Sequence, residues 1–356
     1  MKIVVLAGGL STERNVSLVS GIGVCRALRE KGHQAILVDM FLGLESLENY
    51  GGNLEDIFDA PDGLCRDMEI ESMEPDLEAV RASRKDKSDS ILGKDVLRVC
   101  GMADMVFLAL HGSCGEDGRM QATLDLMGIP YTGSGYLGSG MAMDKAVTKH
   151  IMDSIGIPTA PWHDVTYTEA DIPQLVEKLE VPCAVKIVNG GSSIGVALPD
   201  TKEELEKALH DILNYGNHVV VEKKIHGREL TVAVLGDTYL PAVEIIPNDA
   251  YFDYVSKYQA DGTQEICPAH ISDELWHKMG ELALQLHKAL GLAVYSRTDF
   301  LVDDEGNPWC LEVNTLPGMT SASLVPKEAK AAGIPYADLC ETIVEESLKA
   351  RKAEKK

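Results

Sequence analysis

A chain of 356 residues that is 45% hydrophobic and 25% charged can bury a sizeable core and form two or three lobes of ordinary size. Its formal net charge of -23 repels polyanions at long range and argues against a nucleic-acid or membrane-surface role. Any phosphate site must therefore rest on a few placed lysines, arginines and backbone amides.

The opening MKIVVLAGGL breaks at Gly8 and Gly9, too soon for a secretory leader, and no apolar run reaches spanning length, so the expected compartment is the cytoplasm. KIVVLAGG reads as a buried strand, Ser11 to Lys31 as a helix with Val16, Val19, Val24 and Leu28 at helical spacing, and QAILVDM as a second strand. ADMVFLALHG adds another strand of the same sheet. Between them, from about Phe41 to Val99, lies an acidic stretch of weak periodicity with charged runs such as Arg84 to Asp89, expected to be an insertion with partial helix and no chemistry. From about Ala142 to Pro158 a helix is expected on Met143, Val147, His150 and Ile151, and the prolines of IPTAPW mark a lobe boundary after it. CAVKIV, GVAL, HVVVEKKI and ELTVAVLGD read as strands and TKEELEKALHDIL as a helix, the texture of an antiparallel α+β lobe. A helix over Leu275 to Leu290 then precedes the strands YSRTDFLVD and PWCLEVN. The eight cysteines form no CxxC pair and read as reduced thiols, with Cys25, Cys100, Cys183 and Cys310 expected in the core.

The last two strands carry acid in a telling pattern. Residues two apart on a strand share a face, so Arg297 and Asp299 point one way, as do Glu312 and Asn314 on the next strand. A turn over Asp304 to Asn307 would pair the strands as a hairpin, presenting Asp299, Glu312 and Asn314 together. Two carboxylates and an amide oxygen suit magnesium held between protein and phosphates; the plainer reading is a solvated polar face. The segment Asn314-Thr-Leu-Pro-Gly-Met-Thr that follows favours the first.

Upstream, AVKIVNGGSSIGVAL sets Lys186 at a strand end before Asn189-Gly190-Gly191-Ser192-Ser193. Glycines let backbone amides wrap an anion, hydroxyls add donors and the lysine adds charge, although a plain glycine-rich hairpin turn would look similar. Gly133-Ser-Gly135-Tyr-Leu-Gly138 matches a dinucleotide fingerprint but lacks an acid ending a following strand, and Gly191-Ser-Ser193-Ile-Gly195 matches a nucleophile elbow but runs into strand, not helix. No G-x-x-x-x-G-K-[ST] occurs, so a P-loop is absent.

Taken in order, GGLSTERNVSLVSG, LALHGSCGEDGRMQATLDLMGIPYTGSG, MAMDK, VKIVNGGSSIGV, VEKKIHGRELTVAVL, FDYVSKYQADGTQEICPA, SRTDFLVDDEGNPWCLEVN and TLPGMTSASLVP resemble the D-alanine:D-alanine ligase family of the ATP-grasp superfamily over nearly the whole chain. The resemblance implies an ATP-grasp fold combining α/β and α+β parts: a Rossmann-like parallel-sheet domain over 1–141 with the insertion at about 41–99, a central lobe over 142–230 and a C-terminal lobe over 231–356, the last two enclosing ATP. It implies phosphate contacts from Lys145 and Lys186, nucleotide contacts from Ser192, Ser193, Glu222, Lys223, Ile225, Glu229 and Lys257, and Asp299, Glu312 and Asn314 as ligands of two Mg2+ or Mn2+ ions. On the amino-acid side it implies Glu13 on the ammonium of the first D-alanine, tied to Ser192 and Tyr258 of a lid around Tyr254 to Asp261, with His111 nearby. Arg297 and the backbone near Gly318 match an oxyanion pair, and Ser323 and Leu324 match contacts to the second D-alanine. Two D-alanines would be joined through an acyl phosphate, the chain being a homodimer; activation by a monovalent cation is left open. Gly190 and Lys224 depart from the usual pattern, in the glycine loop and the adenine pocket. The competing readings are a relative that pairs D-alanine with D-serine or D-lactate, and a non-catalytic nucleotide binder; Tyr258 and Leu324 favour D-alanine as second substrate.

Overall fold

Ile3 to Ala7 form an unbroken apolar run because their strand is covered on both faces. In the computed structural model, which describes residues 1–44, 53–65, 75–190, 195–247 and 263–354, strand β1 (Lys2–Ala7) leads through helix α1 (Arg14–Glu30) to β2 (Gln34–Asp39). Gly21 lets α1 lie directly on the sheet: a Cβ there would come within 2.6 Å of the Ala7 Cβ.

The expected insertion is only partly peripheral. Its described residues form short 3-10 turns at Leu54–Asp59 and Pro61–Leu64 and the helices α2 (Leu77–Ser83) and α3 (Val96–Cys100), and Ile57 and Phe58 enter the core of the first sheet. Arg84, the first residue of a charged run, is 2% exposed. Its guanidinium lies 4.8 Å from the Phe41 ring centre and donates to the carbonyls of Ser90 and Leu92. Single apolar residues spaced among charges left no periodicity to read.

Strand β3 (Met105–Leu108) completes the parallel sheet, in the order β2-β1-β3. Helices α4 (Arg119–Met127), α5 (Tyr136–Met143) and α6 (Lys145–Ile155) follow. The single helix expected over 142–158 is therefore two, divided at Asp144, which has extended backbone and caps α6 by accepting from Val147 N at 2.9 Å. The buried face of α6 is Ala146, Lys149 and Met152, while Val147 and His150 face outward.

The next sheet is antiparallel, in the order β4-β7-β5-β6. It comprises β4 (Trp162–Thr166), helix α7 (Ile172–Lys178), β5 (Cys183–Ile187), β6 (Val196–Ala197), helix α8 (Lys202–Ile212) and β7 (His218–Lys223). Thr201 and Glu204 form a capping box on α8. Strand β8 (Arg228–Leu235) pairs instead with β10 and β12, so residues 228–230 go with the last sheet. That sheet runs β11-β10-β8-β12-β13, with β9 (Thr238–Tyr239) on β8, β10 (Val243–Pro247), β11 (Thr263–Ile266), helix α9 (Asp273–Ala289), β12 (Tyr295–Val302) and β13 (Pro308–Asn314). Helices α10 (Leu324–Ala331) and α11 (Tyr336–Glu354) close the chain, and Leu339, Cys340, Ile343 and Val344 of α11 return to the core of the parallel sheet. No described helix is long and apolar enough to cross a membrane.

Candidate active site

One cleft of about 620 Å³ lies among the three sheets. Glu13, His111, Lys145, Lys186, Glu222, Lys223, Ile225 and Glu229 line it, together with Arg297, Asp299, Glu312, Asn314, Gly318, Ser323 and Leu324. Ser192, Ser193, Lys257 and Tyr258, with the lid stretch around 254–261, lie outside the described residues.

The acidic hairpin forms by alternation. β12 and β13 are antiparallel, Arg297 stands opposite Asn314 and Asp299 opposite Glu312, and the register shifts just after Asp299. Asp299 is 6% exposed and so takes no part in a solvated polar face, whereas the Glu312 side chain is 38% exposed. Its carboxylate accepts from Arg297 Nε (2.8 Å) and Nη2 (2.7 Å), Thr231 Oγ1 (2.7 Å) and Asn314 Nδ2 (3.0 Å). Burial works against the Arg297 charge, but Asp299 outweighs it and holds the pKa above the usual guanidinium range. Glu312 faces Lys145 at 3.6 Å, and Lys145 Nζ also donates to the Gly190 carbonyl at 2.6 Å. Among the described residues no three His, Cys, Asp or Glu side chains form a self-sufficient metal cluster. Two carboxylates and one amide instead suit a hard cation that takes its remaining oxygens from substrate.

Elsewhere in the cleft, Lys186 of β5 and Glu222 of β7 stand on adjacent strands, Nζ to Oε2 at 3.2 Å. Burial disfavours the Glu222 carboxylate, yet the lysines around it hold its pKa below the usual range. Lys224, one of the departures, turns its ammonium to Asp200 at 2.7 Å.

The parallel sheet supplies the remaining wall. Gly8 and Gly9 have φ of +75° and +86°, and a Cβ on Gly8 would meet Asp39 Oδ2 at 2.8 Å, so the turn after β1 requires glycine. Arg14 pairs with Asp39 and donates to the Gly9 carbonyl at 2.7 Å, fixing the start of α1 beside Glu13. A Cβ on Gly112 would lie 3.1 Å from Glu13 Oε2, which puts that carboxylate against the His111-Gly112 turn. His111 is engaged by the protein through both nitrogens: Nδ1 donates to the Leu316 carbonyl at 2.9 Å, and Nε2 faces Ser20 Oγ at 3.4 Å. Burial, the largest influence, lowers its pKa despite Glu13.

Glu116 was not singled out in the sequence, although it stands in the same HGSCGEDG segment. Its carboxylate accepts from Gly112 N (2.7 Å) and Leu316 N (3.4 Å), so His111 and Glu116 together hold the backbone of Leu316. Burial and then Glu13 push its pKa up to about 8. Further along this loop a Cβ on Gly318 would lie 2.9 Å from Ser323 Oγ, and that hydroxyl also accepts from Thr320 N at 3.1 Å. The loop before α10 is thus clamped from the first lobe and compact in itself.

A family model described as D-ala D-ala ligase N-terminus matches residues 2–134, and one described as D-ala D-ala ligase C-terminus matches 151–345. The chain belongs to the D-alanine–D-alanine ligase family. A D-alanine–D-alanine ligase of Pediococcus pentosaceus is 45% identical over 345 residues, covering 97% of each chain, and one of Lacticaseibacillus casei is 41% identical over 350 residues, 98% of this chain and 96% of the relative. Among solved structures, the ligase from Bacillus anthracis superposes with a TM-score of 0.73 at 34% identity over 99% of both chains, and its complex with ATP with a TM-score of 0.71 at 30% identity, also over 99% of both. This ligase chain therefore has the ATP-grasp fold that its motifs imply.

Proposed function

We propose that the protein joins two D-alanine molecules into D-alanyl-D-alanine with release of ADP and phosphate, a step toward peptidoglycan precursors. The observation that carries this reading is the convergence of Glu13, Lys145, Lys186, Arg297, Asp299 and Ser323 on one cleft from elements far apart in the chain. Lys145 and Lys186 spread the charge of ATP phosphates, while Glu222, Lys223, Ile225 and Glu229 surround its adenine and ribose. Asp299, Glu312 and Asn314 would hold Mg2+ or Mn2+, which when bound neutralises charge on the transferring phosphoryl group.

Glu13 pairs with the ammonium of the first D-alanine and turns its carboxylate toward the terminal phosphate. Attack there yields D-alanyl phosphate, and the amine of the second D-alanine, seated against Ser323 and Leu324, attacks its carbonyl. Arg297 and the backbone amide at Gly318 stabilise the oxyanion that develops. No protein nucleophile is required. His111, held between Ser20 and Leu316, serves by fixing the loop that carries Gly318.

The expected site of action is the cytoplasm, as a homodimer. Leu126 (91% exposed), Met127 and Leu137 on α4 and α5 leave apolar surface that supports self-association. Light scattering after size exclusion reads the dimer directly. The reaction is tested by coupled ADP release with ATP and magnesium, comparing D-alanine, L-alanine, D-lactate plus D-alanine, and D-serine plus D-alanine, with products identified by mass. Dipeptide from D-alanine alone is expected; ADP release only with a mixed pair would replace the substrate assignment, and none with any would overturn the reading.

A further inference from the structure

Behind the cleft, on the buried face of α6, Lys149 is 1% exposed and lies between the two matched family segments. The reaction described above makes no use of it. Its Nζ donates to Thr159 Oγ1 at 2.7 Å and stands 3.3 Å from Glu222 Oε1, while Lys186 holds the other oxygen of the same carboxylate. Thr159 Oγ1 in turn donates to the Cys310 carbonyl at 2.9 Å, tying the group to β13. Glu222 is 3% exposed. Two lysines therefore share one buried carboxylate, and only Lys186 of the two lines the cleft.

A buried carboxylate that loses its only cation is strongly destabilised. A lysine that is the sole partner of Glu222 would resist leaving it for a phosphate. With Lys149 in place, Glu222 keeps a counter-ion when Lys186 turns outward. We propose that Lys149 is a positioning residue of the nucleotide site, a second counter-ion to Glu222 that frees Lys186 to engage phosphate. The inference rests on the ATP-dependent reading but not on the identity of the amino acid.

The test is direct binding of adenylyl imidodiphosphate with magnesium, by calorimetry without amino acid, on wild type, Lys149→Met, Glu222→Gln and Lys149→Met/Glu222→Gln. A failure of the D-alanine assignment then leaves this result readable. Lys149→Met is expected to weaken the analogue about tenfold or more, because Lys186 becomes the sole cation on Glu222. Because Lys149 acts through Glu222, the double variant should bind the analogue within about twofold of Glu222→Gln alone. Binding by Lys149→Met within about twofold of wild type overturns the proposal, as does a double variant about tenfold weaker than Glu222→Gln. If Lys149→Met does not fold, a double variant, in which Lys186 is the one charge left of the three, that binds about tenfold more weakly than Glu222→Gln still overturns the proposal. Turnover adds a second readout: KM for ATP should rise in Lys149→Met while KM for the amino acid stays within about twofold.

Discussion

Two clusters of buried charge serve the same cleft and are assembled in opposite ways. Arg297 and Asp299 sit two residues apart on β12 and meet Asn314 across a hairpin. Lys186 and Glu222 come from the paired strands β5 and β7, and Lys149 is brought to them from α6 by packing. The first cluster is written into strand alternation and survives as long as one hairpin does. The second depends on the packing of α6 against the sheet that carries β5 and β7, and its carboxylate has a second cation where Asp299 has one guanidinium. The comparison predicts that the hairpin cluster breaks all at once while the packed cluster fails by degrees.

The largest effect belongs to the hairpin. Asp299→Ala removes the anion beneath Arg297 and leaves the Thr231 hydroxyl only the Thr298 carbonyl as acceptor, so a loss of roughly 3–5 kcal/mol is expected together with loss of turnover, read by urea unfolding and ADP release. Glu312→Gln separates the two consequences. Its side chain is more exposed and only 3.6 Å from Lys145, so unfolding should shift by less than about 1 kcal/mol, whereas turnover should fall about 100-fold or more. A Glu312→Gln variant with near wild-type turnover would remove Glu312 from the proposed metal set.

A middle-sized effect is expected at Glu116, which joins the first lobe to the loop after β13. Its carboxyl is pushed up from 4.5 to about 8 in the folded chain, so between those values the folded state holds a proton that the unfolded state has released. The stability this contributes is fully present below about pH 4.5 and declines as pH rises toward 8, beyond which it is constant. Glu116→Gln cannot titrate and should show a flatter unfolding profile across that window. Parallel profiles for the two proteins would mean that Glu116 is already ionised at neutral pH.

The legibility of the two clusters follows from the same contrast. Period-two alternation placed Asp299, Glu312 and Asn314 on one face before any coordinates, because a strand repeats every two residues whatever surrounds it. The glycine loop and Lys186 were visible for a related reason: a strand end, a turn and a cation are contiguous. Lys149 is not visible in the sequence, because the helical spacing falls on Met143, Val147, His150 and Ile151, of which α6 turns Val147 and His150 outward, and a lysine does not signal burial. Glu116 escaped because its work is to hold backbone amides, that of Gly112 four residues away and that of Leu316 200 residues away, and neither leaves a side-chain pattern to read. The burial of Arg84 escaped likewise: besides the nearby Asp86, its partners are carbonyls and a ring in an acidic stretch. Family resemblance supplied what alternation could not, at Glu13, Ser323 and Leu324, where no spacing distinguishes a substrate contact from a helix start.

The smallest effect is expected where the sequence suggested trouble. Lys224 introduces a charge into the segment proposed to surround adenine, and an ammonium facing the base would weaken nucleotide binding. Its Nζ is held instead by Asp200, a partner with an exposed carboxylate, and such pairs contribute about 0–1 kcal/mol. Lys224→Ala should therefore leave KM for ATP within about twofold of wild type and lower stability by less than about 1 kcal/mol. The charge is neutralised on the rim, unlike the lysine pair around Glu222, where position in the interior makes each cation count. A larger rise in KM for ATP would show that the aliphatic stem of Lys224 packs against the nucleotide, and would assign to it the part that Ile225 is expected to play.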